Sequence, residues 1–378
     1  MKAGLVACAL LALTVTPACA SAYSDFNSGI AARNARRCDL AVTHENAALA
    51  APDLLASFKP TALLVRGDCQ LVAGKVDAAI ADFTAALALK PDDIQLHTMR
   101  GMAFEFLKRD DAAVADYQDI VRLRPDLTRG YIRLGNLYTA RNQTEAAIAQ
   151  YSALIAAQPE YAVGYLLRSR AHLVKGDFES AIGDADHMVR MVPQDATGYV
   201  QRAVIYQAQG KFDLALSDLD DALDRRKGDT FTSLLKGTVQ WELGHFADAQ
   251  ETLDPLAKND LTTGYALLWL SLARGSAGKP DDDLAARSAN LDRAKWPAPL
   301  VSLYAGQSTV DAVMAGVART TAENRERDAC ESDFYVGEWQ LRHQAKDAGI
   351  ALLQKAAGDC PVTYVERAAA AVELGRSK

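Results

Sequence analysis

An all-α fold of stacked antiparallel helix hairpins is what this sequence predicts, a superhelical solenoid with capping helices at both ends. Three observations carry it. Prolines recur every 34 residues, at Pro91, Pro125, Pro159 and Pro193. Counting units from residues 60, 94, 128, 162, 196 and 230, the eighth position is small: Gly67, Gly101, Gly135, Ser169, Ala203, Gly237. The twentieth is always alanine: Ala79, Ala113, Ala147, Ala181, Ala215, Ala249. Self-similarity at such a period marks a repeat architecture.

Each recurring position has a physical task. Small residues at 8 and 20 let the two helices of a unit approach closely. Position 24 is bulky as Phe83, Tyr117, Tyr151, Leu219 and Leu253, with Ala185 the exception, and position 4 is Tyr131, Tyr165 and Tyr199. These side chains fill the space between neighbouring hairpins. Glycine near position 15 (Gly74, Gly176, Gly210, Gly244) permits the turn, and proline at 32 stops the second helix. A single hairpin cannot bury its apolar faces, so the units must stack. Positions 7 and 23 pair Arg66 with Asp82, Arg100 with Asp116, Arg168 with Asp184 and Arg202 with Asp218. They should meet across the hairpin as ion pairs, worth about 1 kcal/mol each at most if exposed. The third unit loses both, as Leu134 and Gln150, and the sixth keeps only Lys236, opposite Thr252.

These signature positions resemble the tetratricopeptide-repeat (TPR) family over about residues 60 to 257. The organisation expected is a signal peptide at 1–20, N-terminal capping helices at 21–59, six TPR repeats at 60–257, a degenerate helical repeat at 258–329, and a final TPR-like hairpin with a C-terminal capping helix at 330–378. Residues 22 to 58 read as helical but off-register. Beyond 257 the period breaks, with paired helices expected at Tyr265–Arg274 and Asp281–Arg293. The Asp281-Asp282-Asp283 run reads as a capping cluster, because the other ligands and the glycine of a calcium loop are absent. Ser308-Thr309-Val310-Asp311 opens another helix. From 330 the register returns, with Gly337 at position 8, Leu353 at 24 and Pro361 at 32.

Hydrophobic residues make up 49% of the 378, enough for a substantial core, and aromatics only 7%, which suits alanine- and leucine-packed helices. The net charge of −7 and the lack of a dense basic block set nucleic acid aside as a partner. Lys2, the apolar run Leu5 to Val15 and the small-x-small Ala18-Cys19-Ala20 have the layout of a secretory signal, too short to span a bilayer stably. Export to the periplasm is therefore expected, with cleavage leaving 40 basic against 48 acidic groups, or −8. Contact with the membrane would require acylation of Cys19, an outer-membrane lipoprotein arrangement. Thr16 and Pro17 depart from the usual lipoprotein pattern. Four cysteines then remain, Cys38, Cys69, Cys330 and Cys360, and number alone allows three pairings. Cys330 and Cys360 occupy positions 1 and 31 of the final hairpin, at the open ends of antiparallel helices, which favours bridges 330–360 and 38–69.

No HExxH, CxxC, GxSxG, P-loop or dinucleotide fingerprint occurs, so no catalytic residue, metal or cofactor is expected. The six histidines are scattered, and His97 and His172 sit where aromatics pack. The TPR resemblance implies instead a concave groove that takes protein or peptide segments, lined by positions 2, 5, 9 and 12 of each first helix. On that basis the candidate groove residues are Glu105, Arg129, Asn136, Arg170, Gln207, Phe231 and Trp241. Position 5 carries no lysine, which speaks against the carboxylate clamp of chaperone-binding TPR proteins. A homodimer is a further arrangement open to the fold.

Leu300 to Gln307, Phe334 to Trp339 and Tyr364-Val365-Glu366 resemble the C-terminal part of the bacterial envelope TPR lipoprotein NlpI family. That resemblance implies a non-catalytic scaffold for cell-wall hydrolases or an adaptor for a processing protease. Two alternatives stand beside it. One is a TPR assembly factor for an outer-membrane or secretion complex. The other is an enzyme whose catalytic module is residues 258 to 378.

Overall fold

The computed structural model describes residues 17–258, 263–343 and 345–377, with the side chains of 17–20 left aside. The expected signal peptide lies outside the described residues except for its last four, which begin the first helix. Twenty-one α-helices and no strand occur among the described residues. The chain divides into two compact units, one ending at Gln158 and the other starting at Pro159.

In the N-terminal unit the hairpins are α1 (Pro17–Asn34) with α2 (Cys38–Ala50), α3 (Lys59–Val72) with α4 (Val76–Leu89), α5 (Ile94–Phe106) with α6 (Asp110–Leu123), and α7 (Thr128–Ala140) with α8 (Thr144–Ala157). The C-terminal unit continues with α9 (Ala162–Lys175) and α10 (Phe178–Met191), α11 (Ala196–Ala208) and α12 (Phe212–Arg225), and α13 (Thr230–Glu242) and α14 (Phe246–Leu253). Then follow α15 (Thr263–Ser276), α16 (Leu284–Arg287), α17 (Ala298–Tyr304), α18 (Val310–Arg319), the hairpin α19 (Arg325–Arg342) with α20 (Lys346–Asp359), and α21 (Val365–Arg376). Several first helices are started by an aspartate whose carboxylate accepts backbone N–H groups, as Asp93, Asp195 and Asp229 do.

The small positions are small because ring atoms fill the space beside them. A Cβ added at Gly67 would lie 2.6 Å from the Phe83 ring, and one at Gly101 would lie 2.6 Å from the Tyr117 ring. Ala185 is paired with the one serine at position 8, Ser169, whose hydroxyl donates to the Ala181 carbonyl at 2.8 Å. The exception at position 24 is thus compensated at position 8.

Residues 22–55 form a repeat of their own, displaced by four residues from the 34-residue period of the units that follow. Counted from residue 22, Gly29 falls at position 8, Arg36 at 15, Ala41 at 20, Glu45 at 24 and Ala48 at 27. Position 15 is left-handed in this hairpin (Arg36, φ 58°) as it is at Gly74, Lys108, Asn142, Gly176, Gly210 and Gly244. Two things hid this repeat: 38 residues rather than 34 separate it from the next, and a carboxylate stands where five of the six following units have a bulky side chain. Glu45 is fully buried and neither of its oxygens has a hydrogen-bond partner.

The four expected ion pairs form at 2.6, 2.8, 2.7 and 2.6 Å, each with both guanidinium arms on one carboxylate. They are stronger elements than exposed pairs, since each aspartate side chain is no more than 8% exposed. The position-7 cation also reaches back to position 25 of the preceding unit. Arg66 donates to Asn46, Arg100 to Thr84 and Arg202 to Asp186. This explains the sixth unit, where Lys236 has lost its own aspartate yet pairs with Asp220 at 2.6 Å.

The degenerate block departs from expectation in two details. The helix expected at Asp281–Arg293 is only the single turn α16. Asp283 stands at its N-cap without a side-chain capping bond. Asp281 and Asp283 instead bind Arg274, at 2.6 and 2.5 Å. Trp241, Trp269, Phe334 and Tyr335 form the centre of this unit's largest core, with ring centroids 4.9–6.2 Å apart.

Candidate partner-binding face

In the N-terminal unit the first helices α5 and α7 present an open face. Gln95, Met102, Arg129 and Asn136 are exposed on it, while Glu105, Ile132 and Arg133 are half-buried and Thr98 is buried. The helix pairing positions the polar groups. The Tyr117 hydroxyl, kept protonated by burial and by its bond to Glu105, donates to that carboxylate at 2.8 Å. Arg133 lies 3.5 Å from the same carboxylate and 3.6 Å from the Met102 sulfur. The Tyr151 hydroxyl donates to Asn136 Oδ1 at 2.9 Å. Ile94, Met99 and Met102 floor a shallow depression rimmed by Arg129 and Arg133. Apolar floor and cationic rim suit a peptide with hydrophobic anchors and acidic residues.

In the C-terminal unit the same repeat positions have a different fate. Arg170 and Phe231 are exposed, Phe231 at 61%, and Arg170 sits 3.5 Å from Gln201. Gln207 and Trp241 are buried, at 2% and 0%, and neither lines an open groove. Trp241 is walled in by Trp269 of α15 and Phe334 of α19, and the C-terminal helix α21 packs not only on α19 and α20 but also on α11 and α13. Gln207 donates to Thr238 at 3.2 Å and to Glu242 at 2.8 Å. Trp241 donates to Ser276 at 3.2 Å, and the Arg376 guanidinium lies 4.6 Å from its ring centroid. Arg376 also donates to the carbonyls of Trp241 and Glu242, at 2.6 and 2.9 Å. Burial raises the carboxyls gathered beneath α21: Glu242 well above the usual range, Glu331 to about 7, Glu338 and Glu366 to about 8.

The cysteines divide. Cys330 and Cys360 are bonded, with sulfurs 2.29 Å and Cα atoms 5.6 Å apart. Cys38 and Cys69 are free thiols on α2 and α3, contrary to the expected bridge, although they share one small cluster with Ala32, Ala41 and Val65. Burial first, then the bond with Cys38, pushes the Cys69 thiol up to about 12, which disfavours the thiolate needed for exchange.

Two places gather side chains capable of chemistry. His97, Asp116 and Asp119 have ligand atoms within 4.8 Å of one another, a trio unique among the described residues. Its lone pairs are already committed. His97 Nδ1 meets Asp116 at 2.8 Å, Nε2 meets the Pro91 carbonyl at 2.8 Å, and Arg100 holds Asp116 through two arms. Both ring nitrogens face oxygen atoms, and the Asp116 bond foremost raises the pKa of His97. The trio is an ion-pair network. In the degenerate block a cleft is lined by Asp254, Tyr265, Arg287 and Trp296. Tyr265 and Trp296 both donate to the buried Glu331, at 3.1 and 2.6 Å, while Arg287 binds Asp254 at 2.8 Å. These groups satisfy one another in pairs.

Comparison with known proteins agrees with the architecture. No curated protein sequence matches the chain. A tetratricopeptide repeat protein from Parabacteroides merdae is similar in structure, at 17% identity and a TM-score of 0.47, covering 67% of this chain and 98% of its own. PilW, a type IV pilus biogenesis factor, is 18% identical with a TM-score of 0.43 over 53% of this chain and 93% of its own. YrrB, a TPR protein with an unusual peptide-binding site, is 17% identical with a TM-score of 0.38 over 49% and 95%. The tetratricopeptide-repeat sequence profile matches residues 26–94, 73–127, 132–196 and 234–297, more than half of the chain, and its first match takes in residues 26–55 of the N-terminal repeat. The chain belongs to the tetratricopeptide-repeat family.

Proposed function

We propose that this TPR protein is an exported scaffold that grips a partner segment on the open face of α5 and α7. TPR proteins serve protein–protein interaction, typically without catalysis; the export, the envelope clients and the particular face are our reading. The open shelf of Met99 and Met102 beside Arg129 and Arg133 carries it, because an apolar floor with a cationic rim is otherwise costly to leave wet. The secretory layout of the N-terminus and the NlpI-like stretches support an envelope setting, with cell-wall hydrolases or a processing protease as clients.

A photo-crosslinking residue at Met102, with a control on the far side of the same hairpin at Arg122, tests this in intact cells. An envelope hydrolase or protease linked only from position 102 is the expected result. A component of an outer-membrane or secretion complex would favour the assembly-factor reading instead. Equal labelling from both positions, or a cytosolic product, would overturn the proposal.

A further inference from the structure

The face of repeats five and six is covered by a segment of the chain itself, and the way it is held is informative. Helix α21 lays Val365, Ala369 and Ala370 against its neighbours, the two alanines fully buried. Alanine methyls bury little area, so such a stripe contributes far less than leucines would. The same docking places Glu366, 5% exposed, among other acidic side chains, where burial foremost and Glu331 second raise its pKa, and burial foremost, with a contribution from Glu366, raises that of Glu242. Glu373 likewise opposes Glu338, one of whose oxygens is unpartnered. Against these costs stand Arg376, which caps the last carbonyls of α13 and lies over Trp241 and Phe246, the bond from Arg367 to the Cys360 carbonyl, and the partly buried Leu374. The helix thus covers a well-formed surface with a weakly apolar insert that brings buried carboxyls together.

A second observation concerns what would remain without it. The Cys330–Cys360 bond closes the α19–α20 hairpin five residues before α21 begins. Gly337 and Gly349 bring the same two helices together, since a Cβ added at Gly349 would lie 2.8 Å from the Gly337 carbonyl. The hairpin is therefore fastened independently of α21.

We propose that α21 is a displaceable occupant of the face formed by α11 and α13, and that an amphipathic helix of a partner protein takes its place. The fitting partner has an apolar stripe at the spacing of Val365, Ala369, Ala370 and Leu374, and an arginine at the position of Arg376. It gains over α21 by carrying larger apolar residues and no carboxylate at the place of Glu366. This second surface deepens the scaffold reading and lies in the other unit from Met102, so crosslinking at that residue reports on the first surface alone.

Hydrogen exchange on the full oxidised chain is the first test. Amides of 365–376 should exchange at least ~100-fold faster than those in the middle of α19, because a displaceable helix opens below the global unfolding energy. The second uses a fluorescent peptide of residues 362–378 carrying E366Q and A369L. It should bind a full-length release variant, A370D with R376A, at least tenfold more tightly than the unaltered chain, and a chain ending at Pro361 should behave like the variant. Exchange of α21 only with global unfolding would overturn the proposal. So would failure of the peptide to bind a release variant that keeps its helical circular dichroism.

Discussion

Position 12 of the repeat is Glu105 and Thr139 in the N-terminal unit and Gln207 and Trp241 in the C-terminal unit. The first two are accessible from the face of α5 and α7. The second two are buried, Trp241 in the core it shares with α15 and α19 and Gln207 against Thr238 and Glu242 of α13. The helix pairing is the same in both units, and so are the Arg–Asp pairs that fasten it. What differs is whether another part of the chain covers the first helices. A repeat position therefore specifies which way a side chain points, and not whether water reaches it.

The largest effect that contrast implies is at the tryptophan. Replacing Trp241 by alanine should cost about 3–5 kcal/mol in urea unfolding of the C-terminal unit, through lost burial and an unfilled cavity. Met102→Ala, on the open face, should stay within about 0.5 kcal/mol. Comparable losses would abolish the distinction between an open and a covered face.

Next come the pairs shared by both units. Asp116→Ala leaves Arg100 and His97 without their buried acceptor and should cost about 3–5 kcal/mol. Asp220→Ala removes only the half-exposed partner of Lys236 and should cost about 1 kcal/mol or less. Equal costs in thermal unfolding would mean that the buried carboxylate at position 23 is not the fastening element.

Proton linkage sharpens the comparison at Glu45. Its folded-state pKa is raised to about 8, from burial first, against partial compensation by Arg66. A raised carboxyl binds its proton more tightly when folded. Its destabilising effect is therefore absent below about pH 4.5, grows as the pH rises, and is complete above about 8. Glu45→Leu should stabilise the N-terminal unit at pH 8 by about 1–3 kcal/mol, the cost of an unsatisfied buried polar group. It should also flatten that unit's stability between pH 5 and pH 8. The C-terminal unit should keep its decline over the same range, because Glu331, Glu338 and Glu366 are raised in the same sense. An unchanged slope in the N-terminal unit would show that Glu45 is not the group responsible.

The smallest effect is at the turns. Lys108 holds the left-handed φ of 56° that glycine holds in four other units. Lys108→Gly should relieve about 1 kcal/mol of backbone strain, partly offset by glycine's greater freedom when unfolded. A loss of stability in calorimetry would contradict that.

Much of this was legible in residues that repeat. The Arg–Asp pairing follows from two positions symmetric about a turn, and it forms in every unit that keeps both partners. The repeat at 22–55 also left a readable signal, in Gly29, Ala41 and Ala48 at the proper spacing. A longer loop and the carboxylate of Glu45 masked it. The Lys236–Asp220 pair could have been found by asking what a lone position-7 cation retains when its own aspartate is gone.

The chain's local chemistry by itself determined the hairpin, its period, its small and bulky positions, its turns and its ion pairs, because those depend on residues within about two units of each other. Burial of Trp241 and Gln207 was decided only by tertiary structure. So were the separation of Cys38 and Cys69 into free thiols and the gathering of Glu242, Glu331, Glu338 and Glu366. These depend on how α15, α19 and α21, distant in the chain, pack onto α11 and α13, or on how closely two helices meet. No local pattern encodes such contacts, since an alanine-rich helix like α21 has the same sequence signature whether it faces solvent or fills a groove.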